Sequence, residues 1–268
     1  MKLILVLIIS LALNGCFANQ PAPKPLSVSP TGVTVEGVPV GGLTSDQLQV
    51  ALTELAQRKN TFPQNAAFDL EGRVVPEKVG QMLDIQATAD LVNAALPHSE
   101  TPAIYQQISP AITGGTLAAA KRIGGYETPI IDNHPDRVKN IALTASLLNN
   151  TIIDHGQEFS FNALTGEPTV ERGFRRAGVL KNGQKVQDIG GGMCQVSSTI
   201  YNAALEAGLK VTERHPHSQP VSYVPEGRDA TTFTDKDLRF MNSTRQSLIL
   251  RVFIAGKTVK ADIWSLPQ

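Results

Sequence analysis

Gly190-Gly191-Gly192-Met193-Cys194-Gln195-Val196-Ser197-Ser198-Thr199-Ile200-Tyr201-Asn202-Ala203-Ala204-Leu205 is the stretch that says most about this chain. After the glycines, Val196, Ile200, Ala203 and Ala207 recur at the spacing of one helix face, and Gly208 can end the helix. Cys194 therefore falls at or just before a helix N-terminus. The free amides and positive dipole end there favour an anion, which lowers a thiol's pKa and raises its thiolate fraction. The glycines let backbone approach a substrate closely, and their amides, together with those around Met193 and Gln195, can face a developing oxyanion. Plainer uses exist: a solitary cysteine at a helix start is often a small buried hydrophobe, and three glycines can be only a turn. A phosphate loop is disfavoured, because no Gly-Lys-Ser/Thr follows the glycines. Ser197 and Ser198 lie within the helix rather than on a sharp elbow, so a serine nucleophile is the weaker reading.

A cysteine nucleophile needs a base. Glu213-Arg214-His215-Pro216-His217-Ser218 offers His217 and His215, followed by the extended run Pro220-Val221-Ser222-Tyr223-Val224. Pro216 biases His215 toward extended geometry, in which both histidines point to one side. An imidazole near Cys194 can take the thiol proton and later protonate a leaving amine. Asp229, in Gly227-Arg228-Asp229-Ala230, can orient that imidazole. Zinc is the competing use of a His-x-His pair, with Cys194 and Asp229 as further ligands, but no paired-cysteine spacing supports it. The reading therefore carries no metal and no cofactor. His98, His134 and His155 are scattered and read as ordinary residues.

The chain opens as an exported protein does. Met1-Lys2 is a short basic start, and Leu3 to Leu13 is an almost unbroken apolar run, about half the length that spans a bilayer. Leu13-Asn14-Gly15-Cys16 resembles a lipobox, which implies cleavage before Cys16 and lipidation of its thiol, anchoring the protein to the bacterial envelope membrane. The sequence holds two cysteines, so a lipidated Cys16 leaves Cys194 without a disulfide partner. Lys and Arg, 24 together, balance Asp and Glu, also 24, with no basic block, which argues against a nucleic-acid partner. A hydrophobic share of 41% argues against wholesale disorder.

Residues 1–16 thus form the signal, and 17–32, with Pro21, Pro23, Pro25 and Pro30, read as an extended tether. From Val33 to Val40 the residues alternate as in a strand. Thr44-Ser45-Asp46 can cap a helix that carries Leu48, Leu52 and Leu55 on one face. Ala66 to Leu70 and Val74-Val75 read as a hairpin, and a second helix is expected from about Ala87 to Leu96. A small α+β module over 33–124 follows from this, with a boundary near Gly124-Gly125. A second, mixed α+β domain then covers 125–268, with a helix from Arg137 to Leu148 and a short strand or turn at Phe159-Ser160-Phe161-Asn162.

Phe159 to Asn162, Gly190-Gly191-Gly192 with Cys194 to Ser198, Arg214-His215 with His217-Ser218, Val221-Ser222-Tyr223, and Gly227 to Ala230 stand in the order found in VanW domains. From about Tyr126 to Trp264 the chain resembles that family, departing from it at Asp154 to Glu158, where a Pro-Gly-Glu-like turn is usual. The Gly-Val-Pro-Val-Gly-Gly-Leu-Thr phrase resembles, more loosely, the peptidoglycan-binding domain that often precedes VanW domains; a dimerisation or spacer module is the alternative. Some VanW domains act as peptidoglycan transpeptidases that make 3-3 cross-links with the motif cysteine. The resemblance therefore implies an L,D-transpeptidase-type reaction on peptidoglycan peptide stems, with Cys194 as nucleophile, His217 as first and His215 as second choice of base, and Asp229 as orienting group. Gly191, Gly192, Met193, Gln195, Ser197, Tyr223 and Arg228 are then expected around the substrate. The competing class is a non-catalytic wall-binding or envelope-assembly lipoprotein in which Cys194 is structural.

Overall fold

The computed structural model describes residues 27–69, 71–181 and 183–267. The expected signal, the lipobox at Cys16 and the tether up to Leu26 lie outside the described residues. Along the chain come strands β1 (Thr34–Val35) and β2 (Val38–Pro39), helix α1 (Ser45–Lys59), strands β3 (Ala67–Phe68), β4 (Val74–Val75) and β5 (Gly80–Leu83), helix α2 (Ile85–Ala94), and strands β6 (Glu100–Thr101) and β7 (Tyr105–Ile108). They are followed by α3 (Gly114–Ala119), β8 (Lys121–Pro129), α4 (Pro135–Leu148), β9 (Thr151–Ile153), β10 (Glu158–Ser160), α5 (Phe161–Thr165), β11 (Arg176–Lys181) and β12 (Gln184–Ile189). The chain closes with α6 (Met193–Glu206), β13 (Lys210–Glu213), β14 (Arg239–Met241), β15 (Leu248–Ala255) and β16 (Thr258–Ser265), a mixed α+β architecture. Among the described residues no helix is long and apolar enough to cross a membrane.

These elements divide into two compact units, residues up to 60 with 83–106, and residues 61–82 with 107–268. In the first, Thr44 caps α1 in a reciprocal capping box with Gln47, and Leu48, Leu52 and Leu55 are buried as their spacing requires. They share a core with Val33, Val35, Val40 and Val92. The single alternating strand expected over Val33–Val40 is instead a hairpin of β1 and β2, because Glu36 (φ 46°) and Gly37 (φ 76°) both adopt the left-handed backbone of a tight turn. β1 also pairs with β6 in parallel. The folded chain begins before Val33: the Ser29 amide donates to the Leu43 carbonyl at 2.9 Å, and Val28 bridges Thr44.

The second unit is built on the antiparallel sheet β8-β16-β15-β9. The β3–β4 hairpin, read from the sequence together with the first module, belongs to this unit. Phe68 packs on Trp264, with ring centroids 5.7 Å apart, and its amide donates to the Asn150 side chain at 2.8 Å. Helices α4 and α6 bury Ile141, Ala145, Leu148, Val196, Ile200 and Ala203 against the sheet in one core with Phe161, Phe174 and Phe240. Gly124-Gly125, expected at a domain boundary, lies inside β8. A Cβ at Gly124 would stand 2.5 Å from the Ala207 amide nitrogen and 2.6 Å from the Ala203 carbonyl, so the glycine lets α6 lie directly on the strand. Two smaller pieces complete the unit, the sheet β10-β14-β13 and the long hairpin β11–β12.

Gly124→Ala should therefore destabilise the second unit by about 1–3 kcal/mol, the usual cost of overpacking a fixed core. Denaturant unfolding would show it as a lower midpoint, and an unchanged midpoint would contradict the close packing of α6 on β8.

Candidate functional site

Helix α6 starts where Gly192 takes φ 113°, a backbone that suits glycine, and Cys194 follows in the first turn. Asn140 from α4 fixes this turn: its amide donates to the carbonyls of Gly191 at 3.0 Å and Arg175 at 2.9 Å, and its oxygen accepts from the Arg175 amide at 2.8 Å. Ser197, Ser198 and Asn202 of α6 face inward. Ser198 accepts from the Ala230 amide at 2.9 Å, Ser197 donates to the Ala230 carbonyl at 2.6 Å, and Asn202 donates to the Arg228 carbonyl at 2.7 Å. All three are fully buried. They bind the 228–230 segment to the helix and thereby bring Asp229, Thr231 and Thr232 to the same end as Cys194.

Asp229 is the hub. Its Oδ2 accepts from both the backbone amide of His217 at 2.6 Å and the ring Nδ1 at 2.7 Å. Its Oδ1 accepts from Arg214 Nη2 at 2.7 Å, while Arg214 Nε donates to the Asp229 carbonyl at 2.7 Å. With Nδ1 held by the carboxylate, Nε2 is the ring nitrogen left to face the sulfur, and His217 stands close enough to Cys194 to act on its thiol. The Cys194 sulfur also lies 3.6 Å from the Thr231 hydroxyl and 3.7 Å from the Thr232 carbonyl.

Electrostatics follow from this geometry. Burial pushes the Cys194 thiol up, but the hydrogen bond and positive charge of His217, helped by Thr232 and Thr231, outweigh it and bring the thiol down to about 7. Burial likewise pulls the His217 imidazolium down, and the Cys194 and Asp229 charges more than reverse it. Asp229 is pushed up by burial and brought below the ordinary carboxylate range by His217 and Arg214. Tyr223 is held well above its usual value by burial and the Cys194 charge, so its hydroxyl stays protonated.

Cys194 and His217 open onto a cavity of about 940 Å³, lined also by Arg137, Asn162, Met193, Gln195, Tyr223 and the inner face of the β11–β12 hairpin. Of the expected substrate contacts, Gly192, Met193, Gln195 and Tyr223 line it, while Gly191, Ser197 and Arg228 do not. Gly191 is pressed against the Ala177 backbone, Ser197 holds Ala230, and Arg228 Nη1 donates to Asn202 at 3.2 Å. The expected oxyanion donors also differ. The Met193 amide donates to the Gly190 carbonyl and the Gln195 amide to the Gly192 carbonyl, both at 3.1 Å. Among the described residues the Cys194 amide has no acceptor.

The two histidines part ways. His215 Nε2 pairs with Glu213 at 2.9 Å and lies outside the cavity lining, because its backbone bridges Thr231 and turns the ring away. The His-x-His pair thus does not converge, and the described residues contain no cluster of His, Cys, Asp or Glu suited to a metal ion. Arg137, Arg214, Thr231 and Thr232 also stand at the site, with places that the sequence pattern alone does not assign. Arg214 could have been found as the cation beside the histidine motif, whereas the other three carry no local signal.

A lone cysteine paired with a histidine that an aspartate orients, on the wall of an open cavity, defines the cysteine–histidine class of site. Residues 136–264 match the family model described as VanW like protein. Over 221 residues the chain is 32% identical to the uncharacterized protein YoaR of Bacillus subtilis (strain 168), covering 80% of this chain and 73% of that one. It is 30% identical over 115 residues to the vancomycin B-type resistance protein VanW of Enterococcus faecalis (strain ATCC 700802 / V583), covering 41% of this chain and 42% of that protein. The chain belongs to the VanW family. No solved structure matches it.

Alkylation of Cys194 should follow a titration centred near pH 7. His217→Ala removes the group that lowers the thiol and leaves burial to raise it, so the midpoint should climb by a unit or more and the rate at pH 7 fall about tenfold or further. His215→Ala should leave the midpoint in place. A midpoint indifferent to His217 would break the assigned pair.

Proposed function

We propose that this protein is a cysteine acyltransferase of the cell envelope that acts on peptidoglycan peptide stems by L,D-transpeptidase-type chemistry. The observation that carries the reading is the continuous line Cys194–His217–Asp229 ending at an open cavity. The Cys194 thiolate attacks the carbonyl of the diamino acid in a stem peptide, and the carbon–nitrogen bond to the terminal D-Ala breaks. His217 gives its proton to the departing amine, and a thioester remains. An amine of a second stem then attacks the thioester and yields its proton to His217. The new amide is a 3-3 cross-link, and the thiolate is restored. Water in place of the amine gives a carboxypeptidase. No cofactor is needed. The Cys194 amide, which has no acceptor among the described residues, supports the reading as a donor to the oxyanion in place of the engaged Met193 and Gln195 amides, and the protonated Tyr223 lines the same cavity.

The setting is part of the proposal. Export, a lipid anchor at Cys16 and a proline-rich tether would hold the catalytic unit near a fixed wall. The N-terminal unit would contribute peptidoglycan binding. The Enterococcus faecalis relative's name, a vancomycin B-type resistance protein, supports a cell-envelope role.

Incubated with tetrapeptide-stem muropeptides, the purified protein should yield a thioester adduct or cross-linked dimer by mass spectrometry. Cys194→Ala should abolish both. Absence of adduct and product, with Cys194 inert to alkylation, would transfer the reading to a non-catalytic wall-binding lipoprotein.

A further inference from the structure

We propose that Arg137 is the carboxylate anchor of the cavity, so that the acyl donor must be a peptide ending in a free carboxylate close behind the bond that Cys194 breaks. This rests on the acyl-transfer reading and adds to it a rule for donor choice.

Arg137 stands in the first turn of α4 and lines the same cavity as Cys194. Its Cγ and carbonyl oxygen lie against Gly192, two residues before the nucleophile, within 3.2–3.3 Å of where a Cβ would be. The guanidinium is aimed by neutral partners alone. Nη1 donates to the Gly178 carbonyl and Nη2 to Gln195 Oε1, each at 3.2 Å. Nε is buried and has no acceptor. Only a minority of its five N–H donors are thus engaged, and among the described residues no carboxylate pairs with its charge.

A partly buried cation with unfilled donors is costly unless an anion completes it. The planar fork suits a carboxylate, which it can grip through two parallel hydrogen bonds. The position is also rigid. Gln195 immediately follows Cys194, and its Nε2 is tied to the Thr128 hydroxyl at 3.2 Å and the Pro129 carbonyl at 2.9 Å. A carboxylate held by Arg137 is therefore in fixed register with the sulfur. Among the described residues of the lining, Asp132 and Glu167 are acidic, and Arg137 is the guanidinium an anion would meet beside Cys194.

The reading makes binding depend on the donor's end group, which can be measured without turnover. In full-length Cys194→Ala protein in detergent, a tetrapeptide stem with a free C-terminal carboxylate should bind about tenfold or more tightly than its carboxamide, by calorimetry. Adding Arg137→Gln should erase that preference by weakening only the free acid. Arg137→Lys, which keeps the charge but not the fork, should leave part of it and guards against misfolding of the glutamine variant. Equal binding of acid and amide, no binding of either, or a preference that survives both substitutions would overturn the assignment. Failure of the acyl-transfer reading shows separately, as absence of a thioester with Cys194 and Arg137 both intact.

Discussion

Everything at the site depends on hydrogen bonds between the buried polar face of α6 and the segment 228–230. Ser197, Ser198 and Asn202 sit where a helix packed against a sheet would ordinarily carry apolar side chains. Each bond contributes only about 1 kcal/mol when made, but leaving a buried hydroxyl or amide unpaired costs more, so the segment has one register in which it can dock. That register brings Asp229 to the end of the helix that carries Cys194. His217 is then fixed twice by the same carboxylate oxygen, through its backbone and its ring. The supporting sheet contributes from behind, through the close approach of α6 to Gly124.

The thiol's acidity is a contest between two consequences of that packing. Burial alone would make Cys194 a weaker acid than in water, as in a core cysteine. The imidazolium beside it wins, because Asp229 and Arg214 keep the ring oriented and charged at close range. The helix start is therefore an aid rather than the cause. Without the 213–232 region, Cys194 would be the small buried hydrophobe that its position alone also allows.

Much of this was legible in the sequence, and one reason is chemical scarcity. With two cysteines and five histidines, a candidate nucleophile and two candidate bases stand out. Asp229 is one of 24 acidic residues and is marked by its motif rather than by scarcity, and the helices around Leu48, Ile141 and Val196 follow from periodicity. What escaped depends on three-dimensional placement. The break in Val33–Val40 turns on a left-handed Glu36, which alternation does not report. Gly124-Gly125 looks like a linker until a helix is laid on it. Arg137 and Thr232 lie far from Cys194 in sequence, and nothing local marks them. Pro216 suggested that His215 and His217 share a side, yet Glu213 holds one ring while Asp229 takes the other.

Among the described residues Cys194 is the sole cysteine. A thiol that ionises near neutrality is the form that peroxide attacks, and the sulfenic acid it yields is normally rescued by a neighbouring thiol that closes a disulfide. Here hydroxyls, carbonyls and an imidazole surround the sulfur, and none of them can do this. Further oxidation to the sulfinic acid would add a permanent negative charge beside His217, locking the ion pair in place with the nucleophile gone. The arrangement that lowers the Cys194 thiol thus offers the oxidised sulfur no resolving thiol among the described residues, and how long the thiolate lasts is set by how well the cavity keeps oxidants from it.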